Sequence, residues 1–152
     1  MDTNSMYIQE IAKAERTEAL IAQLIRIWKD SVRASHHFLT EDDICHLTPQ
    51  AEGALRFIDT LLVAYETENP VGFMGIQAQK IEMLFLSPAC FGQGLGKRLV
   101  RLAFDKWDVR YVDVNEQNEE ARGFYERMGF KVFKRNELDS EGNPFPILEM
   151  EL

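Results

Sequence analysis

Cysteine is scarce: Cys45 and Cys90 are the two in 152 residues. So distant a pair builds neither a disulfide framework nor a zinc pattern of closely spaced thiolates, and the expected location is a reducing one, the cytoplasm. Basic charge is in deficit, since 17 Lys and Arg against 25 Asp and Glu leave a net charge of −8. Non-specific nucleic-acid binding needs a basic face, so nucleic acid is not an expected partner. The negative balance aids solubility and suits long-range steering of a cationic molecule. No apolar run approaches the roughly 20 residues of a membrane-spanning helix. The start, Met1-Asp2-Thr3-Asn4-Ser5-Met6, has neither a basic opening nor an apolar stretch and does not read as a leader. No Asp, Glu and His cluster has metal-ligand spacing, so no metal is expected. Repeats, linkers and low-complexity stretches are also missing. What remains is 45% hydrophobic and 28% charged residues, the composition of one globular domain spanning 1–152.

Periodicity orders the chain. A short strand is expected at Tyr7–Ile11. Leu20, Leu24, Trp28 and Val32, with Ile21 and Ile25 beside them, predict a helix over 18–35. Thr40 before Glu41-Asp42-Asp43 is an N-cap with an acidic first turn, so a second helix starts near Glu41. Pro49 is expected to break it, with a further piece over 50–59. Strands follow at 61–66 and 71–78 around a Glu68-Asn69-Pro70 turn, then at 80–86. Leu95, Leu99, Leu102 and Ala103 mark a helix, 111–114 a strand, and 118–128 a helix stopped by Gly129. The last two strands are expected at 130–135 and 145–152. Helices first, then a strand meander, then alternating elements give a mixed α/β layered protein.

The most informative segment is Leu86-Ser87-Pro88-Ala89-Cys90-Phe91-Gly92-Gln93-Gly94-Leu95-Gly96-Lys97. An apolar strand ends at a proline, and a glycine-rich turn leads into a helix. Unpaired N–H groups and the positive dipole end of a helix hold anions, and glycines let the backbone approach one closely. A P-loop is excluded, because Phe91 stands where its first Gly belongs and Arg98 where its magnesium-binding hydroxyl belongs. A dinucleotide fingerprint is excluded too: the spacing is Gly92-x-Gly94-x-Gly96, past mid-chain, with too few βα units around it.

Phe91-Gly92-Gln93-Gly94-Leu95-Gly96 resembles the Gln/Arg-x-x-Gly-x-Gly/Ala pyrophosphate loop of the GCN5-related N-acetyltransferases (GNAT). Val114-Asn115-Glu116-Gln117-Asn118 through Ala121, Phe124-Tyr125 and Gly129-Phe130 resembles that family's second signature. The likeness covers roughly 60–135, and Ser31 to Thr40 and the tail from Glu137 are similar to one subgroup of small bacterial acetyltransferases. The family usually has Gln or Arg at the place of Phe91, which removes one side-chain contact near the phosphates but leaves the backbone amides. Lys97, Arg98 and Arg101 are available to supply charge.

The resemblance implies a mixed central sheet of six to seven strands with helices on both faces. It also implies an enzyme that moves the acetyl group of acetyl-CoA to a primary amine by direct attack in a ternary complex. The coenzyme A arm would lie in a V between the parallel strands 81–86 and 111–114, against Leu84, Phe85 and Leu86. The pyrophosphate would sit on Phe91, Gly92, Gln93, Gly94, Leu95, Gly96 and Lys97, with Asn118 and Tyr125 beside the arm. A backbone N–H near Phe85 or Leu86 is the candidate donor to the thioester oxygen.

Tyr125 is the candidate acid for the departing thiolate; the alternative is a half-buried tyrosine packing its helix on the sheet. Glu82 is the candidate base, on the face opposite Ile81 and Met83, or else a solvated strand residue. His36, His37 and Phe38 would border the acceptor pocket. One imidazole would orient the substrate or relay its proton, and a histidine at a helix C-terminus also favours the dipole. Asn118 is equally a helix N-cap. Cys90 reads as a small buried thiol, not a nucleophile. The expected partner is a small-molecule or peptide amine, with no nucleic acid or membrane partner and a monomeric or homodimeric state. A coenzyme A-binding module or sensor without turnover is the competing function. A protein that kept only the fold fits the glycines poorly, because Gly lowers stability unless something uses it.

Overall fold

The computed structural model describes residues 6–152. Residues 1–5, which include most of the start read above for leader character, lie outside the described residues. The elements run β1 (Met6–Glu10), α1 (Glu18–Ser35), α2 (Glu41–Phe57), β2 (Thr60–Glu66), β3 (Asn69–Gln77), β4 (Lys80–Leu86), α3 (Leu95–Trp107), β5 (Tyr111–Asn115), α4 (Glu119–Arg127), β6 (Lys131–Asn136) and β7 (Ile147–Glu151). The strands form one mixed sheet in the order β1-β2-β3-β4-β5-β7-β6, with β4 and β5 the parallel pair.

Alternation along the central strands builds two cores. Leu62, Ala64, Met74 and Ile76 face α3 and α4, packing with Leu95, Leu99, Val100 and Ala103. Leu61, Val63 and Phe73 face the other way, against Ile21, Leu24, Trp28 and Leu55 of α1 and α2. Trp28 therefore serves the core.

The second helix corrects one expectation. α2 runs unbroken through Pro49. Thr40 and Asp43 close a reciprocal capping box at its start, and Leu47, Ala51, Ala54 and Leu55 pack against the core on both sides of the proline. One missing N–H is a smaller loss than giving up that packed face. The hairpin turn also moves, to residues 67–68, with Thr67 at φ 57°. Pro70 lies inside β3 opposite Tyr65, at a register shift where a missing N–H is tolerated. The final strands are shorter or displaced by one residue, and Phe130 is a buried core residue preceding β6. Among the described residues no helix is long and apolar enough to cross a membrane.

Candidate functional site

β4 and β5 pair only at Lys80 with Tyr111 and Ile81 with Val112. Beyond that point they part, and β4 continues through Leu86 with its β5-facing edge unpaired. The parting coincides with an irregularity in the β3–β4 register, where Gly75 and Ile76 oppose Met83 and Ile81, leaving Glu82 as the extra residue. Simple alternation fails there: Ile81 packs toward α3 and α4, Met83 toward α1 and α2. Glu82 is thus not opposite both neighbours, as alternation predicted. It sits on the bulge, its side chain 40% exposed.

After β4, a short 3₁₀ turn (Pro88–Cys90) leads into the glycine segment. Gly92 and Gly94 hold φ of 73° and 84°, a region that favours glycine. Gly96 does not need positive φ; its absent side chain leaves room beside the Phe124 ring. The amides of Leu95, Gly96 and Lys97 form the first turn of α3, where a helix supplies no carbonyl partner. Those of Gly92, Gln93 and Gly94 donate to no carbonyl among the described residues. Six amides around one bend, at the positive end of a helix dipole, suit a diphosphate.

A cavity of about 470 Å³ runs from this bend along β4 to α4, and a second of about 100 Å³ fills the V between β4 and β5. Leu84, Phe85, Leu86, Phe91, Gly92, Gly94, Leu95, Gly96, Lys97, Asn118 and Tyr125, all expected at the cofactor, line the larger cavity. Gln93 does not; its amide turns back to donate to the Ala89 carbonyl at 2.9 Å. Arg98 is also directed away, donating to the Met6 carbonyl at 2.8 Å. Arg127, in the last turn of α4 and not among the residues expected at the cofactor, lines the cavity.

The two cavities meet at His36, Leu84, Phe85, Asn118, Ala121 and Tyr125. Tyr125 is buried, with its ring set edge-on to Phe124 and Phe130 at 5.1 and 5.7 Å. Burial pushes its pKa above that of an ordinary phenol, so it stays protonated. Its hydroxyl has no hydrogen-bond partner among the described residues and fronts both cavities. Glu82 lines the V with Asp113. Lys80 lies 2.5 Å from Asp113 and 3.8 Å from Glu82. Burial raises the Glu82 pKa, the Lys80 ammonium pulls it down, and Asp113 pushes it up again.

His36 caps the C-terminus of α1 and reaches the junction. Desolvation, then the neighbouring His37, lowers its pKa to about 4. His37 and Phe38, expected beside it at the acceptor, line neither cavity; His37 is exposed and Phe38 packs between His36 and Phe145. Asn118 caps α4, its Oδ1 accepting from the Ala121 N–H at 3.1 Å. Cys90 is buried and its thiol pKa is raised, mainly by burial. Among the described residues no group of three or more His, Cys, Asp and Glu is placed to hold a metal ion. Asp113, Ala121 and Phe124 also line the site; only the outward alternation of Asp113 in a short strand could have marked it in advance.

Known proteins match this arrangement. The acetyltransferase (GNAT) domain model matches residues 48–152. The peptidyl-lysine N-acetyltransferase YjaB of Salmonella typhimurium is 38% identical over 128 residues, 84% of this chain and 88% of that protein. The solution structure of apo-form YjaB from Escherichia coli superposes with a TM-score of 0.83 at 36% identity, covering 96% of each chain. The PaiA N-acetyltransferase of Thermoplasma acidophilum, solved in complex with coenzyme A, shares the fold at a TM-score of 0.71 and 20% identity, covering 97% of this chain and 99% of that one.

Proposed function

The chain belongs to the GNAT acetyltransferase family, and on that premise we propose that its acceptor is the ε-amine of a lysine in a peptide or protein. It is an N-acetyltransferase: acetyl-CoA supplies the acyl group and a thiolate leaving group, and an amine receives the acyl group. The observation that carries the site assignment is the junction of the two cavities, where the partnerless Tyr125 hydroxyl fronts both. The large cavity suits the cosubstrate, because it joins the six unsatisfied amides to the unpaired edge of β4. Gly92 to Lys97 hold the diphosphate, and a backbone N–H near Phe85 or Leu86 faces the carbonyl oxygen as charge builds there.

Transfer is by direct attack in a ternary complex. The amine must be neutral to attack, and Glu82 takes its proton, directly or through one water. A carboxylate raised by burial is a better base than an exposed one. Tyr125 gives its proton to the departing thiolate, and its raised pKa keeps that proton available at neutral pH. Lysine as the acceptor is supported by the YjaB relatives, named for peptidyl-lysine. The charge of the V agrees: Asp113 and Glu82 against the one Lys80 ammonium leave a net negative charge facing a cationic amine.

Thiol release from acetyl-CoA, followed with lysine peptides, a polyamine, a free amino acid and an aminoglycoside, tests the reading. Multiple turnovers on the peptides, with acetyl groups located on lysine by mass spectrometry, are expected. Turnover confined to the small amines would refute a peptidyl acceptor.

A further inference from the structure

A line of hydrogen bonds crosses the junction of the two cavities, and one assignment of donors and acceptors satisfies all of its atoms together. The Ser35 hydroxyl donates its one proton to the Ser31 carbonyl at 2.7 Å, so its oxygen is an acceptor toward His36 Nδ1 at 2.8 Å. Nδ1 therefore carries the ring proton. Asn118 uses Oδ1 to accept from the Ala121 N–H, which leaves its Nδ2 as a donor to His36 Nε2 at 3.3 Å. Nε2 must then be the lone-pair nitrogen. Among the described residues no other side-chain hydrogen bond or ion pair joins α1 to α4.

We infer that this Ser35–His36–Asn118 line is a strap holding the end of α1 to the start of α4, and that His36, neutral with its proton on Nδ1, is a positioning residue for the Tyr125 acid. The inference rests on the reading of Tyr125 given above. α4 has nine residues and begins at the Asn118 cap, and Tyr125 lies two turns along it. Holding the cap holds the helix, and through it the place of the phenol between the cavities.

Protonation would release the strap. An N–H at Nε2 would meet the Nδ2 hydrogens of Asn118. Asn118 cannot turn its oxygen to the ring without abandoning the Ala121 N–H, because that oxygen caps the helix. The surroundings favour the neutral ring. His37 sits beside it in the chain, and the titratable groups sharing its cavities are Glu82 on β4 and Asp113 on β5. Cys90 and Lys97 flank the glycine bend, and Glu120, Tyr125 and Arg127 lie on α4. None of these is hydrogen-bonded to the imidazole, and burial with His37 sets its titration.

Nitrogen-15 NMR of the full chain decides the tautomer without any turnover. The expected pattern near pH 7 is a protonated Nδ1 and a bare Nε2; a protonated Nε2 overturns the inference. In Asn118→Asp, the cap oxygen remains but an acceptor replaces the donor facing the ring. His36 should then protonate Nε2 and titrate at least about one pH unit higher; an unchanged ring overturns the strap.

Kinetics supply the second arm. His36→Leu should lower kcat roughly tenfold or more by misplacing the acid, with a smaller change in the KM for acetyl-CoA. His36→Gln should recover most of that rate, since its oxygen can accept from Asn118 while its amide donates to Ser35. A glutamine variant as slow as the leucine variant would mean that the ring itself transfers a proton, and would overturn the positioning role. A leucine variant with wild-type kcat would overturn it too. If no amine supports thiol release, the acetyl-transfer reading falls while the NMR result still stands or fails by itself.

Discussion

Tyr125 shows what a single residue contributes. Its ring is held edge-on by Phe124 and Phe130, while its hydroxyl donates to nothing among the described residues. Among the described residues it is not one of the buried polar atoms left without a partner, so it opens to the cavities it borders, where water serves it until a ligand does. Tyr125→Phe removes that oxygen and keeps the packing. The melting temperature should hold, acetyl-CoA affinity should stay within about twofold, and kcat should drop roughly 10²–10³-fold. Calorimetric titration beside a thiol-release assay separates the two effects; unchanged kcat would remove Tyr125 from the mechanism. Tyr125 and Asn118 were legible in the sequence because they sit in a resemblance with fixed spacing. His36, His37 and Phe38 could not be told apart, because which of three adjacent residues enters a cavity depends on the last turn of α1, which ends with the His36 N–H bonded to the Val32 carbonyl at 2.7 Å. Gln93 sits in the same motif, yet its side chain serves the turn, donating to the Ala89 carbonyl.

Elements show where local rules yield to packing. α1 occupies the range its apolar spacing predicts, from the Thr17 cap onward, because cap and buried face agree. α2 does not obey its proline. Pro49 leaves the Cys45 carbonyl without its intrahelical partner, and the Thr48 hydroxyl bonds instead to the preceding carbonyl, of Ile44, at 2.7 Å. Proline inside a helix costs about 3 kcal/mol against alanine, offset in part by its smaller unfolded-state entropy, about 0.4–1 kcal/mol. Pro49→Ala should therefore stabilise the protein by about 2–2.6 kcal/mol, raising the melting temperature by about 4–10 °C. A calorimetric scan that shows a fall would mean the helix needs the proline's shape. The bulge at Glu82 was equally illegible, since it arises on the partner strand. Gly75 offers no side chain, and Met83 and Ile58 fill the space its Cβ would occupy, at 2.6 and 2.8 Å.

At the scale of the molecule, the fold class followed from the order of elements, while the insertion of β7 between β5 and β6 left no mark in the chain. Strand order is settled by burial of both sheet faces, and no local window records it. The cavities are likewise products of assembly, each walled by elements from both halves of the chain, and the strap across them couples the whole structure to pH. An unfolded histidine titrates near 6.5 and His36 in the fold near 4. Between those values the unfolded chain holds more protons, so stability rises with pH. His36 adds its full contribution above about pH 6.5 and loses it as pH falls through its folded pKa, about 3 kcal/mol in all. The raised pKa of Glu82 acts oppositely, favouring the fold on the acid side. That effect is common to wild type and His36→Gln, so it cancels in their difference. Urea unfolding at pH 7 and pH 4.5 should therefore show wild type losing about 2–3 kcal/mol more than His36→Gln. Equal losses would mean that His36 is as easily protonated in the fold as in the unfolded chain, and the polar line joining α1 to α4 would then not hold a neutral ring.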